Sequence, residues 1–483
     1  MSASLLLALW ALRGEAPTRA DLAVSYLRFE HALRDRPPAE ALRVEIERGF
    51  DGATLAFFTG DGARALSQID DLSARLDPNR AESVAERLAD ALALDFEPRQ
   101  IVSSTGGNLS LRLRPLRAVA ADALGDRKVT VRVVMPTSTG RRTLAARELP
   151  VPHATTVEGP LVLAIPGGGD FPAARIDLEL ELEVAGARPR RVGSVALVGK
   201  PLEVLRRDVE SRLARIDADG PPLEQALAAC RARAALLDPS PSTKDSARFL
   251  LDLAAHAADV ELEVAELELG RDPYRRRPGE LWRVVRTGDG VDLPVRVFAP
   301  EAACGETRVP LVVALHGAGG DENMFLTAYG IGRLRDLARE HGFVAVCPRV
   351  GFGGLSPEAF DAIVRAMVYT YPIDPKRIHV VGHSMGAGAA GALRLARADR
   401  IASTALLAGA PRLGGDAKSP PLYLVGGELD PLANAAGLRR AGESVAAEGA
   451  EVEMRILAGR GHTLFVGDVL PDAIAWCLAR RKP

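Results

Sequence analysis

The sequence predicts an α/β fold for residues 277–483, built on a mostly parallel, doubly wound sheet. Two observations favour this class. Apolar runs such as "VPLVVALHG" and "RIHVVG" have the continuous hydrophobicity of strands that are buried on both faces. Amphipathic helical segments separate most of these runs, and strands that alternate with helices form parallel sheets. Functional residues in such sheets gather at the carboxyl ends of the strands, so the site is expected there.

The strands of this region are taken as short apolar segments bounded by turn residues. In chain order they are "LWRVVRT", "LPVRVFAP", "VPLVVALHG", "FVAVCP", "RIHVVG", "ASTALLAG", "PLYLVGG" and "VEMRILAG". The first two form a β-hairpin, because no helical segment separates them. The stretch "PRLGGDAKSP" between the sixth and seventh strands is shorter than the roughly twelve residues of a helical crossover. That connection is therefore expected to be abbreviated.

The residues before this domain divide into three regions by hydrophobic periodicity. Residues 1–96 have the period of amphipathic helices, as in "DLAVSYLRFEHALRD". Residues 97–200 change to a period of two with Gly-rich turns, which is typical of a β-sandwich. Residues 201–276 return to helical periodicity. The sequence thus predicts a helical region, a β-sandwich-like domain and a second helical region ahead of a catalytic domain at 277–483.

Composition and charge exclude several classes of protein. The 61 basic and 63 acidic residues give a formal net charge of −2, which argues against a nucleic-acid-binding or anionic-membrane-binding protein. The four cysteines have no C-x-x-C spacing, which argues against a zinc ribbon or a redox dithiol. They are expected to be free thiols, and the sequence indicates neither a metal nor a cofactor. No feature of the sequence specifies an oligomeric state.

The N-terminus resembles a signal peptide in part. Residues 1–16 contain an apolar run from Leu5 to Leu12 and a small residue at Ala16, but they lack a basic first segment. The first turns of a helix would have the same pattern, so cytoplasmic and exported locations both stay open, with export slightly favoured. No other apolar stretch approaches the ~20 residues that span a bilayer, and no membrane span is expected.

The stretch "VVGHSMGAGAAG", residues 380–391, carries two overlapping motifs. One is G-x-G-x-x-G, which binds dinucleotides when its first glycine directly follows a strand and an acidic residue ends the next strand. Here Gly386 begins that motif well beyond the strand, and "ASTALLAGA" ends without an acidic residue. The other motif is G-x-S-x-G, in which Gly382 and Gly386 allow the sharp strand-to-helix turn that exposes Ser384. The second interpretation is favoured.

A nucleophilic serine needs a base within hydrogen-bonding distance and a group that orients the base. Asp430 follows a strand in "VGGELDPL", and His462 follows the next strand in "LAGRGHTLF". The order Ser384, Asp430, His462 is the one expected when all three loops lie at one edge of such a sheet. These residues are the predicted nucleophile, orienting acid and base.

Other histidines and carboxylates near the strand ends are weaker candidates for these roles. They are His341, His379, His383, Asp416, Glu428 and Asp468. The histidines lie at a helix end, inside a strand and at the turn beside the serine, where the side chain is expected to point elsewhere. Among the acids, Glu428 lies nearer the buried end of its strand, and the other two lie in looser loops.

A tetrahedral intermediate also needs hydrogen-bond donors for its oxyanion. The loop "HGAGG", residues 316–320, ends an earlier strand with little side-chain shielding of its main chain. The predicted donors are the main-chain N–H groups of Met385 and of Ala318 or a neighbouring glycine. The residues expected to support this loop and the serine turn are His316, Gly317, Gly319, Gly382 and Gly386.

Taken together, "LHGAGGDENMF", "YPIDPKRIHVVGHSMGAG", "GGELDPL" and "GRGHTLF" resemble the α/β-hydrolase superfamily over residues 281–479. The resemblance is to its esterase branch, which includes polyhydroxybutyrate depolymerase-like enzymes and feruloyl and acetylxylan esterases, and to the related prolyl-oligopeptidase-type hydrolases. It implies a metal-free Ser-His-Asp hydrolase that forms an acyl-enzyme on a small-molecule or polymeric ester. Ser384 would be the nucleophile, His462 the base and acid, and Asp430 its orienting group.

Two alternatives remain at this stage. A prolyl-oligopeptidase-like peptidase would suit the separate β region, although repeated propeller blades are absent from the sequence. A binding protein with a vestigial hydrolase domain is the other, although all the triad positions are present. The segment between Ser384 and Asp430 is too short for an inserted lid, so any cover over the site must come from the N-terminal 270 residues.

Overall fold

The computed structural model describes residues 16–77, 83–116, 128–149, 161–165, 167, 175–238, 251–409 and 413–482. The signal-peptide-like segment lies outside these residues except for Ala16, as does most of the turn "IPGGGD".

The chain forms two compact units, each built from separate stretches of sequence. Among the described residues, the first unit lies within 16–25, 59–215 and 234–264, and the second lies within 26–58, 216–233 and 265–482. This division differs from the four consecutive regions expected from the sequence, whose boundaries stay a prediction. In particular, residues 26–58 belong to the same unit as the C-terminal residues.

The helices of the described residues are amphipathic segments with recognisable ends. In chain order they are α1 (Arg19–Asp35), α2 (Glu40–Phe58), α3 (Gly62–Leu76), α4 (Val84–Asp90), α5 (Leu202–Leu213), α6 (Pro221–Ala235), α7 (Leu253–Glu268), α8 (Arg333–His341), α9 (Pro357–Thr370), α10 (Met385–Ala396), α11 (Ala435–Ala447) and α12 (Phe465–Leu478). Side-chain caps begin several of them; the Ser356 hydroxyl, for example, accepts a hydrogen bond from the N–H of Ala359 at the start of α9.

The first unit contains two sheets. One has the order β1-β3-β6, with β1 at Leu92–Glu97, β3 at Gly107–Pro115 and β6 at Leu161–Ile165. The other has the order β2-β8-β7-β4-β5, with β2 at Gln100–Val102, β4 at Val129–Thr137, β5 at Gly140–Leu149, β7 at Ile176–Val184 and β8 at Arg190–Val198. Alternate apolar residues of both sheets share one hydrophobic core, so the sheets pack face to face. The strand-rich region expected from the sequence is confirmed.

The second unit contains an eight-stranded sheet with the order β16-β15-β14-β13-β11-β12-β10-β9. Its strands are β9 (Gly279–Arg286), β10 (Asp292–Ala299), β11 (Val309–Leu315), β12 (Val344–Pro348), β13 (Ile373–His383), β14 (Ser403–Leu407), β15 (Leu422–Gly427) and β16 (Val452–Leu457). The strands from β11 to β16 pair in parallel, and the two antiparallel pairs are β9–β10 and β10–β12. The predicted hairpin and doubly wound, mostly parallel sheet are confirmed.

Two hydrophobic cores cover the two faces of this sheet. On β11, Leu311, Val313 and Leu315 point into one core, while Val312 and Ala314 point into the other. Helices α9, α10 and α11 contribute to the first core, and α8 and α12 to the second. Because both faces are covered, every β11 side chain is buried, which explains the unbroken apolar run in the sequence.

The connection between β14 and β15 contains no helix in its described part, residues 408–409 and 413–421. The buried guanidinium of Arg394 on α10 holds this segment instead. It donates hydrogen bonds to the carbonyl oxygens of Gly414 at 2.8 Å and Pro420 at 2.6 Å. These bonds tie the segment to α10.

Candidate active site

Ser384 lies at a strained turn between β13 and α10. Its backbone has φ 54° and ψ −115°, a conformation that residues other than glycine seldom adopt. Its N–H donates to the carbonyl of Leu407 on β14 at 2.9 Å. A Cβ on Gly382 would overlap the main chain of Gly386, and a Cβ on Gly386 would overlap the carbonyl of Leu315. The two flanking glycines therefore permit the close crossing that presents the serine hydroxyl.

Ser384, His462 and Asp430 form one chain of hydrogen bonds. The Ser384 Oγ lies 2.8 Å from His462 Nε2, and His462 Nδ1 lies 2.8 Å from Asp430 Oδ2. Because an ionised carboxylate only accepts, this network places the imidazole proton on Nδ1 and leaves Nε2 to accept from the hydroxyl. The three residues come from the loops after β13, β15 and β16, as the sequence analysis expected.

Asp430 is held by its own loop. Its Oδ1 accepts hydrogen bonds from the N–H groups of Leu432 and Ala433, both at 2.8 Å. Asp430 and His462 are only 6% and 3% exposed. In this dry environment an ion pair between a carboxylate and an imidazolium is stronger than it would be in water.

The loop "HGAGG" lies against the serine. A Cβ on Gly317 would be 3.2 Å from the Cβ of Ser384 and 2.8 Å from His383 Nδ1, so this position tolerates only glycine at its present geometry. Ala318 follows directly. Met385 is the first residue of α10, where the N–H has no acceptor within the helix. Both predicted oxyanion donors thus belong to segments that adjoin Ser384.

His316 links the loop to its surroundings. Its Nδ1 lies 2.8 Å from the Gly317 carbonyl, and its Nε2 accepts from the N–H of Val350 at 2.9 Å. Both ring nitrogens are occupied, which agrees with a bracing residue. At Gly319 the backbone has φ 74°, and a Cβ there would overlap the ring of Phe57 on α2. Glycine at 319 therefore allows helix α2 to approach this loop.

His383 is a buried side chain that lies between Tyr329 and the main chain of His462. Its Nε2 lies 3.0 Å from the main-chain carbonyl of His462, and its Nδ1 lies 2.7 Å from the hydroxyl of Tyr329. Burial, reinforced by the neighbouring His462, lowers the pKa of His383 to about 3. Its side chain is therefore a neutral imidazole that donates to the His462 carbonyl. The "GHSMG" motif displayed this histidine, but its partners come from distant segments and could not be inferred.

The remaining candidates are occupied elsewhere. His379 bonds to the Ser403 hydroxyl at 2.8 Å, and burial lowers its pKa to about 3. Glu428 accepts from the N–H of Gly459 at 3.0 Å, and Asp468 pairs with Arg43 at 2.7 Å. His341 lies at the end of α8. Asp416 lies in an exposed loop. None of these side chains is hydrogen-bonded to the serine.

Helix α2 supplies contacts that the sequence analysis missed. Its Asp51 accepts a hydrogen bond from the main-chain N–H of His462 at 2.9 Å, and its Glu47 accepts from the N–H of Gly461 at 3.1 Å. Glu40 pairs with the Arg460 guanidinium at 2.6 Å. The only signal in the sequence is acidic residues spaced along a helix, a pattern that is usually a solvated face.

Among the described residues, no three His, Cys, Asp or Glu side chains are grouped so that they could hold a metal ion. Within the same part of the chain, no helix is both long and apolar enough to cross a bilayer. All four cysteines are free thiols, as expected, and three of them are buried.

Comparison with known families supports the assignment of the fold. Residues 312–476 match the model of the alpha/beta hydrolase family. The chain carries an α/β-hydrolase domain. The match spans the segments that contain the "HGAGG" loop, the serine turn, Asp430 and His462. The α/β-hydrolase domain thus accounts for the second unit's sheet from β11 onward, whereas helix α2 lies outside the matched residues.

No curated protein matches the chain. Among solved structures, an S-formylglutathione hydrolase from Staphylococcus aureus is 15% identical, with 41% of this chain and 97% of the other covered at a TM-score of 0.35. A ferulic acid esterase is 12% identical, with 41% and 97% covered at a TM-score of 0.36. A thermostable esterase is 13% identical, with 81% and 100% covered at a TM-score of 0.38. Likenesses this distant do not assign an activity to the α/β-hydrolase domain.

Proposed function

We propose that the α/β-hydrolase domain is a serine hydrolase that cleaves carboxylic esters through an acyl-enzyme. The observation that carries this proposal is the unbroken chain of hydrogen bonds from Ser384 through His462 to Asp430, with both side-chain contacts to the imidazole at 2.8 Å. A serine hydroxyl joined to a neutral imidazole, which is itself oriented by a carboxylate, is the arrangement that nucleophilic acyl transfer requires.

Acylation begins with attack of the Ser384 Oγ on the ester carbonyl carbon, while the hydroxyl proton moves to His462 Nε2. The carbonyl oxygen gains the negative charge, and the N–H groups of Met385 and Ala318 would donate hydrogen bonds to it. Asp430 stabilises the imidazolium that forms. When the tetrahedral intermediate collapses, the C–O bond to the alcohol breaks, and His462 Nε2–H protonates the departing alkoxide.

Deacylation repeats these steps with water as the nucleophile. His462 removes a proton from the water, whose oxygen attacks the acyl carbon, and the same two N–H groups receive the oxyanion. The bond from the acyl carbon to Ser384 Oγ then breaks. The carboxylic acid leaves, and the proton on His462 returns to the serine.

The two alternatives gain less support. The described strands of the first unit form two sheets rather than the repeated blades that accompany prolyl-oligopeptidase-type peptidases. A vestigial domain would have no requirement to keep the strained conformation of Ser384, its aligned base and the flanking glycines together.

The proposal is tested with a fluorophosphonate probe and an ester panel on the full chain. We expect the probe to attach to Ser384, as located by peptide mass spectrometry, and p-nitrophenyl acetate and butyrate to be hydrolysed. Ser384→Ala should lose labelling and at least ~10⁴-fold in kcat, with an unchanged melting temperature. Gly388→Ala, an exposed position on α10 where a Cβ meets nothing within 4 Å, is the matched control.

Three results would contradict the proposal in different ways. Full activity in Ser384→Ala would remove the mechanism. Hydrolysis of aminoacyl arylamides in preference to esters would replace the substrate class with peptides. A folded wild-type protein that neither reacts with the probe nor hydrolyses any substrate would support the vestigial domain.

A further inference from the structure

Helix α2 packs along the loop that carries His462. The carboxylates of Glu47 and Asp51, one helical turn apart, accept hydrogen bonds from the N–H groups of two consecutive residues, Gly461 and His462, at 3.1 Å and 2.9 Å. Both acids are almost fully buried, with exposures of 1% and 5%. Burying a carboxylate costs free energy, and each N–H group that donates to it offsets part of this cost. The hydrogen bonds from the His462 loop therefore help to keep both acids inside the protein.

Glycines in the loop allow the helix to approach so closely. A Cβ on Gly461 would overlap the carboxylate of Asp51, and a Cβ on Gly459 would lie 2.8 Å from the side chain of Val44. The motif "GRGHT" thus has a reason for its two glycines that the strand-end position of His462 does not explain. They accommodate helix α2.

The main chain of His462 is held on both sides of its Cα. Asp51 accepts from its N–H, and His383 donates from Nε2 to its carbonyl at 3.0 Å. The backbone sets the direction of the Cα–Cβ bond and limits the allowed rotamers, so holding the main chain on both sides restricts where the imidazole can lie. Asp430 and Ser384 then meet the imidazole at the two ring nitrogens.

The charges around Asp51 come from three segments. On its own helix, Glu47 pairs with Arg43 at 2.7 Å, and Arg43 also pairs with Asp468 of α12 at 2.7 Å. From the strand-end loops, Asp430 and His462 face Asp51, and Arg460 is engaged with Glu40.

No cation is paired with Asp51 among the described residues, and its Oδ2 has no hydrogen-bond partner there. Burial therefore raises the pKa of Asp51 to about 7, although the hydrogen bond from His462 opposes the shift.

We propose that Asp51 is a positioning residue of the hydrolase site, which holds the main chain at His462 so that the imidazole stays aligned between Asp430 and Ser384. This inference rests on the proposed function. It makes helix α2 a part of the active centre, although the helix precedes the α/β-hydrolase domain by more than two hundred residues. When ionised, Asp51 also adds a second negative charge beside the imidazolium that forms during acylation.

Three variants of the full chain test this role. Asp51→Ala removes the acceptor, Asp51→Asn keeps an oxygen acceptor but cannot ionise, and Glu45→Gln changes an exposed acid on the same helix as a control. We expect Asp51→Ala to lower kcat about 10- to 100-fold with KM within about twofold, because misplacement of a catalytic group by ~1 Å can cost 10²-fold. Asp51→Asn should restore most of this loss, and Glu45→Gln should match the wild type.

The pH profile tests the charge of Asp51 separately from its contact with the His462 main chain. The wild type and Asp51→Asn should have nearly equal kcat at low pH, where both groups at position 51 are neutral. Their ratio should rise as pH increases through about 7, because only the wild type gains the charge that stabilises the imidazolium. Superimposable profiles would overturn the contribution of this charge. If Asp51→Ala does not fold, Gly461→Ala, whose added Cβ overlaps the Asp51 carboxylate, decides the positioning role, and a wild-type kcat in that variant would overturn it.

A readout independent of turnover keeps this test distinct from that of the proposed function. The His462 Nδ1 proton, hydrogen-bonded to Asp430, is followed by its downfield proton resonance. It should move or vanish in Asp51→Ala and persist in Asp51→Asn and Glu45→Gln. An unchanged resonance and kcat in Asp51→Ala would overturn the positioning role, whereas a resonance that responds in a protein without esterase activity would leave that role standing and remove the function.

Discussion

Two regions of the second unit bond to His462, and only one of them could be predicted from the sequence. The loop after β15 supplies Asp430, which bonds to the imidazole at 2.8 Å, and helix α2 supplies Asp51, which bonds to the main-chain N–H at 2.9 Å. Both acids are buried. Asp430 follows a strand within a motif, whereas Asp51 lies among ordinary helical residues. The contact of Asp430 with the imidazole is thus accompanied by a local sequence pattern. The contact of Asp51 with the main chain is not.

The largest expected effect separates the two acids directly. In Asp430→Asn, the amide would donate toward Nδ1 and favour the imidazole tautomer with its proton on Nε2, which cannot accept from Ser384. We expect kcat to fall on the order of 10⁴-fold. Asp51→Asn, the matched change in the other region, should have a far smaller effect. A larger loss of kcat in Asp51→Asn than in Asp430→Asn would reverse the comparison.

Gly461→Ala tests the close approach of α2 from the side of the loop. The added Cβ overlaps the Asp51 carboxylate, so either the helix or the loop must move. We expect kcat and the fluorophosphonate labelling rate to fall by about 10- to 100-fold through misalignment of His462. Gly388→Ala meets open space and should leave both rates unchanged. Wild-type rates in Gly461→Ala would show that the contact does not align the imidazole.

Glu30 is a buried acid of the second unit that is bonded to Tyr26 and not to the His462 loop. It tests whether such an acid affects stability rather than catalysis. It accepts from the Tyr26 hydroxyl at 2.7 Å, and burial raises its pKa to about 8. The raised pKa means that the folded state binds a proton more tightly than the unfolded state. Glu30 therefore contributes stability that is fully present below its unfolded pKa of 4.5 and is lost as pH rises through about 8.

In Glu30→Gln this pH dependence should disappear, so the free energy of unfolding should fall less steeply between pH 5 and 8 than in the wild type. Each unit of pKa shift corresponds to about 1.4 kcal/mol, which sets the scale of the difference. Urea unfolding at several pH values measures it, with kcat of the folded variant close to that of the wild type. Parallel stability profiles would show that Glu30 does not titrate in this range.

The smallest expected effect concerns selectivity for the length of the acyl chain, and it is tested at Phe57 near the C-terminal end of α2. Phe57 contacts the oxyanion loop at Gly319 and remains 37% exposed, so its ring is available to an acyl group bound there. We expect Phe57→Ala to lower the preference for p-nitrophenyl butyrate over acetate by a few-fold, since one buried CH₂ is worth ~0.8 kcal/mol. Leu55→Ala, a similarly exposed apolar residue of the same helix, is the control. An unchanged ratio of kcat/KM values would place the acyl group elsewhere.

Much of the second unit could be predicted because its signals are local. Unbroken apolar runs mark strands that are covered on both faces, and "GHSMG" marks the turn whose geometry needs glycine on each side of Ser384. The positions of Asp430 and His462 followed from the rule that parallel strands bring their carboxyl ends to one edge. In the first unit, the alternation in β7 indicated one buried face, but it could not indicate which sheet would cover it.

By itself, the sequence predicted the fold of the C-terminal domain and a candidate triad whose members follow strands that this fold brings to one edge. Only the tertiary structure decided that residues 26–58 join this unit, and that Asp51 and His383 hold the main-chain N–H and carbonyl of His462. The physical reason is that both contacts are made with main-chain groups of His462. Every residue has a main-chain N–H and carbonyl, so a side chain that bonds to one of them selects no residue type at the other end and leaves no pattern to detect.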